Sequence, residues 1–373
     1  MVKVCLGDVA TESRETCKGD ISQYPQVGLE HLDAETITLS RWDTEAESTF
    51  TKKFSKGQIL FGRRRAYLKK AAVAPFDGIC SGDITVIEAI PEKIHPEYLP
   101  FIIQNDRFFD FAVEKSAGSL SPRVKWEQLK KYEFDLPPLE EQKRLADILW
   151  AAEDEKSALY LAIKKAEKMM SVLRKAYFKI GEPTTIEKCV SKIIGGGTPS
   201  RANPDYFNGD IPWATVKDMS ESDKDKFTTM ESITEDALKN SSANIVEPDN
   251  LIIATRISLD RQIINRVKMA INQDLRALYP KDNVDVEFLY YWFKANTELI
   301  YSLSSGTTVR GISIENVRAL EINLPDLETQ RKIVHKLSSL YNFISQMNQS
   351  VSVISTIQKM ILNNIKCPFD THQ

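Results

Sequence analysis

The sequence predicts an α+β protein built as an internal repeat. It should contain two globules with small curved β-sheets and a few helices, joined by two long antiparallel coiled-coil helices in a pseudo-twofold arrangement. Three observations carry this. The segment LPPLEEQKRLADIL at 136–149 recurs as LPDLETQRKIVHKL at 324–337. A heptad of apolar residues follows each copy in one shared frame. Short apolar runs bounded by Gly, Asp, Asn or Pro precede each copy, as strands of a small sheet require.

The repeat sets the architecture and comes first. Leu136/Leu324, Pro137/Pro325, Leu139/Leu327, Glu140/Glu328, Gln142/Gln330 and Leu149/Leu337 are identical at an offset of 188. Upstream the match is weaker but collinear. Residues 96–119 resemble 286–307, and KGQILFGRR (56–64) resembles PDNLIIATR (248–256).

Downstream, the first heptad places Leu145, Ala152, Leu159, Ala166 and Leu173 at a, and Leu149, Lys156, Ile163, Met170 and Tyr177 at d. The second places Ile333, Leu340, Met347, Ile354 and Ile361 at a, and Leu337, Ile344, Val351, Gln358 and Ile365 at d. Pro137, Pro138 and Pro325 stand before the helices, and Pro183 and Pro368 follow them, because proline cannot continue a helix. About forty residues make each helix roughly 60 Å long. The expected layout is a globule over 1–137, a helix over 138–181, a globule over 182–325, a helix over 326–367 and a tail over 368–373. The second globule begins where the first helix ends, so the helices should run antiparallel and bury their seams on each other. Two separate amphipathic helices, each on its own globule, are the alternative.

Within the globules, 59–63, 84–89, 251–255 and 275–280 read as strands. Residues 96–115 and 286–304 carry apolar residues at helical spacing and read as helices of roughly five turns.

Composition narrows the function. With 373 residues, 42% hydrophobic and 27% charged, the chain has the makings of two ordinary cores. No run approaches 18 apolar residues and the N-terminus lacks a basic-then-apolar leader, so the expectation is a cytoplasmic protein without a membrane partner. Five widely spaced cysteines fit reduced thiols, and the four histidines lack metal-ligand spacing. The glycine run IIGGGTPS (193–200) lacks the Lys-Ser/Thr of a P-loop. Glu141, Gln142 and Lys143 with Asp135 imitate a nuclease carboxylate pattern that the repeat does not preserve. Acids at a helix N-terminus favour the helix dipole and explain them better. The chain should therefore be non-catalytic, with no metal or cofactor of its own.

Net charge of −3 argues mildly against nucleic acid, but its distribution argues the other way. RRRAYLKK at 63–70 gathers Arg63, Arg64, Arg65, Lys69 and Lys70 around Tyr67, with Lys52 and Lys53 shortly before it. Such a loop suits phosphates and guanine edges, though a solvated basic loop is the plain alternative. The corresponding stretch of the second globule offers Thr255, Arg256, Arg261 and Arg266. Arg201 follows the glycine loop, where Thr198 and Ser200 stand. The loop SAGSLSPR, with Ser119 and Arg123, is matched by SSGTTVRG, with Thr308 and Arg310. A Gly-Ser/Thr loop of this kind can bring backbone N–H groups to a phosphate, or be only a tight turn.

Over essentially its whole length the sequence resembles the specificity (S) subunit of Type I restriction-modification systems. The resemblance rests on the repeated LPPLEEQKRLADIL and LPDLETQRKIVHKL, on GGGTPSRANPDYFNGDIPWATVKDM (195–219), and on SGDI/NQDL (81–84, 272–275) before the Gly-Ser loop. The first half departs from the pattern, with QVGLEHLD (26–33) in the Ile-Pro-Trp position and no Gly-Thr-Pro before it. The resemblance implies that the globules are two target-recognition domains reading a bipartite, asymmetric double-stranded DNA target. A ~60 Å separation would correspond to on the order of 15 base pairs. It further implies two docked methyltransferase (M) subunits carrying S-adenosylmethionine, and restriction (R) subunits using ATP and Mg. A recognition subunit of another defence-system methyltransferase is a close variant. A coiled-coil protein scaffold without DNA recognition is the contrasting reading.

Overall fold

The computed structural model describes residues 1–34, 36–44, 49–220, 224–306 and 310–363. Compactness divides the chain into Met1–Tyr160 with Gln349–Gln373, and Leu161–Asn348. The long helices are Leu139–Tyr177 and Leu327–Asn363. The division falls inside both, so each unit holds one globule and part of each helix.

In the first unit a four-stranded antiparallel sheet runs in the order Ala10–Ser13, Ile84–Ala89, Ile59–Gly62, Ala71–Val73. A second sheet pairs Gly78–Cys80 with Gln26–Val27 in parallel and with Lys52–Phe54 in antiparallel. In the second unit the corresponding main sheet runs Val190–Gly195, Leu275–Pro280, Asn250–Ala254, Gln262–Asn265, Asp225–Lys226. Its second sheet pairs Met269–Ile271 with Ile211–Ala214 in parallel. Gln26 therefore takes the place of Trp213, and Tyr24-Pro25-Gln26 rather than QVGLEHLD stands in the Ile-Pro-Trp position of the repeat, because the parallel pairing sets Val27 level with Ala214. Each globule is closed by its own N-terminal strand against the strand leading into a long helix, Val2–Cys5 on Glu133–Leu136 and Glu182–Thr185 on Glu321–Leu324. The strands expected near 59–63, 84–89, 251–255 and 275–280 all form.

The expected five-turn helices are each broken in two. Leu99–Ile103 stops before Asn105, whose side chain accepts the Arg107 N–H and starts Asp106–Glu114 afresh. Val286–Ala295 stops at Asn296, whose Nδ2 donates to Trp292 O at 2.8 Å. A short amide side chain competing for backbone partners outweighs the continuous apolar spacing.

Each helix start is locked by the repeated glutamine. Gln142, 1% exposed, donates to Pro137 O at 2.7 Å and accepts the His95 N–H at 2.8 Å. Gln330, fully buried, donates to Pro325 O at 2.8 Å and accepts the Asp285 N–H at 2.8 Å. The helices run antiparallel within each unit. In the first unit Leu149 shares a core with Ile361 and Leu362, so the start of the first helix meets the end of the second. In the second unit Ala166 and Met170 share a core with Ile333, Leu337 and Leu340, and the Arg174 guanidinium lies 5.1 Å from the Tyr341 ring centre. Among the described residues every a and d position is buried or half-buried.

Candidate nucleic-acid interface

Three chain segments converge at one end of each main sheet: the tip leaving the central strand, the turn entering its neighbour, and the Gly-Ser loop. In the first unit the Arg63 N–H donates to Asp83 O at 3.0 Å, Val124 N–H to Arg63 O at 3.0 Å, and Arg65 N–H to Pro122 O at 2.8 Å. In the second, Thr255 N–H donates to Asp274 O at 2.8 Å, Ile312 N–H to Thr255 O at 2.9 Å, and Ile257 N–H to Arg310 O at 3.0 Å. The loops are pinched alike, by the bridges Ala117↔Arg123 and Ser305↔Gly311. Gly118 at φ +112° and Gly306 at φ +110° turn both loops through the left-handed region.

The charges repeat as well. Arg64 lies 3.6 Å from the Asp83 carboxylate, and Arg256 lies 3.6 Å from Asp274. Arg64 Nε also donates to Ser121 Oγ at 2.9 Å. Arg123 holds Asp83 through two N–H groups at 2.7 and 3.2 Å. That bond, helped by the nearby Arg123 and Arg64 charges, holds the Asp83 carboxyl below its ordinary range despite partial burial. The Asp274 carboxylate accepts from Asn272 at 3.0 Å and from Gln273 at 3.3 Å. Thr198 Oγ1 donates to Gln273 Oε1 at 2.5 Å, so the glycine loop joins this cluster. The arginines beside both acids stay open: Arg64, Arg123 and Arg256 side chains are 39%, 43% and 53% exposed. The two bonds to Asp83 fix the Arg123 guanidinium with its remaining N–H groups toward solvent, the arrangement that phosphate and guanine recognition uses, while Arg64 and Arg256 stand beside their acids as looser ion pairs.

The family model for the Type I restriction modification DNA specificity domain matches residues 2–167 and again 188–355. The chain belongs to that family. The specificity subunit of the type I restriction enzyme MjaIX of Methanocaldococcus jannaschii is 31% identical over 180 residues, 48% of this chain and 42% of that protein. The EcoR124I/EcoR124II specificity subunit of Escherichia coli is 28% identical over 167 residues, 42% of this chain and 41% of that one. Both matches thus span less than half of the curated relative. A crystal structure of a Type I restriction-modification system S subunit from M. genitalium superposes with a TM-score of 0.66 at 12% identity, covering 99% of this chain and 96% of that one. This likeness concerns the fold.

Within each specificity-domain copy the sequence candidates separate into two groups. Arg64, Arg65, Ser119 and Arg123 gather at the first cluster, with Tyr67 exposed on the 3-10 turn beyond Arg65. Thr198, Arg256 and Arg310 gather at the second, and Ser200 is exposed two residues beyond Thr198. Thr308 lies outside the described residues. The others, Arg63 aside, are engaged within the protein. Lys52 bonds Ile84 O at 3.0 Å, and the Lys53 ammonium lies 5.9 Å from the Tyr24 ring centre. Lys69 pairs with Asp106 at 2.5 Å, and Lys70 donates to Leu29 O at 2.7 Å. The Arg63 Nε is buried without a hydrogen-bond partner among the described residues. Thr255 is buried and bonds Asp274 O at 3.1 Å, and Arg261 donates to Met219 O at 2.5 Å. Arg201 forms a fork with Glu231 at 2.6 and 2.7 Å over the Phe207 ring. Arg266 is held by Asp225, Asp249 and Glu287.

Sequence reasoning passed over Asp83 and Asp274 as site residues, although SGDI and NQDL carried the signal. It also passed over Ile257, which nothing in the local pattern distinguishes. Among the described residues no group of three His, Cys, Asp or Glu side chains could hold a metal ion, and no helix is long and apolar enough to cross a membrane. Cys80 and Cys189 are free, with thiols pushed up to about 12 and about 11 by burial, so neither is a ready nucleophile.

Proposed function

We propose that this chain is the non-catalytic DNA sequence-recognition subunit of a Type I restriction-modification complex, reading a bipartite, asymmetric double-stranded target through its two clusters. One observation carries the reading beyond family membership: the Arg–Asp pair recurs at 3.6 Å in both units on the same backbone scaffold. Its surroundings differ, with Arg123 in the first unit and Thr198 with Gln273 in the second. A shared scaffold with different side chains is what two unlike half-sites demand.

The helices supply the second element. Met169 and Val172 on the first long helix are 52% and 59% exposed, and their repeat equivalents Ile357 and Met360 on the second are 50% and 61% exposed. An apolar pair recurring at the repeat offset, one in each unit, suits two copies of one partner, which we assign as two M subunits. S-adenosylmethionine would then reside in M, and ATP and Mg in the R subunits, within the cytoplasm. The deciding experiment is single-molecule methylome sequencing of cells expressing this chain with its M subunit. The expected result is one methylated motif with two unlike halves and a fixed gap. Absence of sequence-specific methylation, together with no DNA affinity in the complex, would favour a protein scaffold instead.

A further inference from the structure

The backbone at the apex of each repeated tip is unusual. Arg65 has φ +54° and Ile257 has φ +74°, the left-handed region that few non-glycine residues enter and β-branched ones least of all. The Ser258 N–H donates to Arg256 O at 3.0 Å, closing a three-residue γ-turn on Ile257 of the rare positive-φ kind. The two positions correspond under the repeat. Each lies three residues beyond its strand's last residue, Gly62 or Ala254, directly follows the aspartate-held arginine, and donates its N–H to the Gly-Ser loop. Ordinarily a strained β-branched residue is justified by packing. Ile257 is instead 57% exposed, so the core gains little from its side chain, and strain at an exposed apex points to a contact outside the chain.

We propose that the apex residue is the specificity-determining side chain of each unit, Arg65 for a guanine edge and Ile257 for the methyl group of a thymine in the major groove. This rests on the reading of the chain as a DNA-recognition subunit. The N–H bonds from Arg65 to Pro122 O and from Ile257 to Arg310 O hold the apex, the flanking Arg64 and Arg256 lie beside Asp83 and Asp274, and the apex side chain carries the information. Guanidinium to guanine O6 and N7, and apolar contact to the thymine methyl, are the pairings that major-groove chemistry offers these two side chains.

The test uses the full chain with its M subunits, comparing wild type with Ile257→Asn, Ile257→Arg and Arg65→Ala by methylome sequencing and thermal denaturation. Asparagine accepts positive φ, so Ile257→Asn should fold with an unchanged or higher Tm while changing the side chain's chemistry. The expected result is at least tenfold lost discrimination at one thymine of one half-site for the Ile257 variants, and at one guanine of the other half-site for Arg65→Ala. An unchanged motif at undiminished methylation overturns the proposal while leaving the recognition function intact. Should a variant with normal Tm lose methylation, competition against duplexes varied at each base pair decides. A flattened preference at that one position supports the proposal, and the wild-type ranking overturns it. Failure of the broader reading would show differently, as a wild-type complex with no methylated motif at all.

Discussion

Lys156 meets Gln358 across the two long helices, Nζ to Oε1 at 3.1 Å, at the only polar d positions of the two heptads. Gln358 Nε2 also donates to Glu153 Oε1 at 2.9 Å and to Leu149 O at 3.3 Å, while Lys156 pairs with Glu153 at 2.8 Å. A polar residue at d has unsatisfied groups in every register but one, so this trio fixes how the helices align. Lys156→Leu or Gln358→Leu should each cost about 1–3 kcal/mol by stranding partly buried partners. The double variant should cost less than the sum, with a coupling of about 0.5–3 kcal/mol. Strictly additive losses in denaturant unfolding would dissolve the trio.

Gln142→Ala and Gln330→Ala should each remove about 1–3 kcal/mol, because each strands a partly buried backbone N–H, that of His95 or Asp285, and empties a buried site. Lying in separate units, they should act independently. Hydrogen exchange checks this: Gln142→Ala should accelerate exchange at His95 and spare Asp285, and Gln330→Ala the reverse.

These two sites mark what was legible in the sequence and what was not. The repeat, the heptad frame and four central strands could be read because periodicity and proline placement are written along the chain. Gln142 and Gln330 were visible as identities, yet their role depends on partners 47 and 45 residues away. The helix breaks at Asn105 and Asn296 were hidden because apolar spacing continues through them. Most of the basic candidates were visible, but not which would be claimed internally: Arg201 by Glu231, Lys69 by Asp106, and Lys52 by Glu12 and Ile84. Strand Gln26–Val27 has two residues, too few for any alternation to show. A positive φ at isoleucine leaves no trace in local preference at all.

The aspartates make the clusters sensitive to acid. The Arg123 hydrogen bond, then the Arg123 and Arg64 charges, lower the Asp83 carboxyl in the folded protein. A carboxyl lowered on folding contributes stability that is fully present above its unfolded value of about 3.9 and is lost as pH falls through the lower folded value. Asp83→Asn should therefore reduce stability at neutral pH and flatten the acid limb below about pH 4. Glu231, lowered chiefly by its bond from Arg201, should behave likewise in the second unit, so Glu231→Gln serves as an internal comparison. Thermal unfolding from pH 3 to 7 measures both, and an Asp83→Asn limb as steep as wild type would remove Asp83 as a source.

The exposed apolar pairs of the helices give the last prediction. Met169 and Val172 share one helix face at i and i+3, as do Ile357 and Met360, and burying either pair in a partner would remove apolar surface worth about 25 cal/mol per Å². If each pair seats one M subunit, Met169→Glu with Val172→Lys should leave a complex with one M subunit, as should Ile357→Glu with Met360→Lys. The four changes combined should leave none. These side chains are exposed, so Tm should move little, within about 0.5 kcal/mol of stability per change. Native mass spectrometry of the co-expressed complex counts the subunits directly. Two M subunits retained on the quadruple variant would place the docking face elsewhere on the helices.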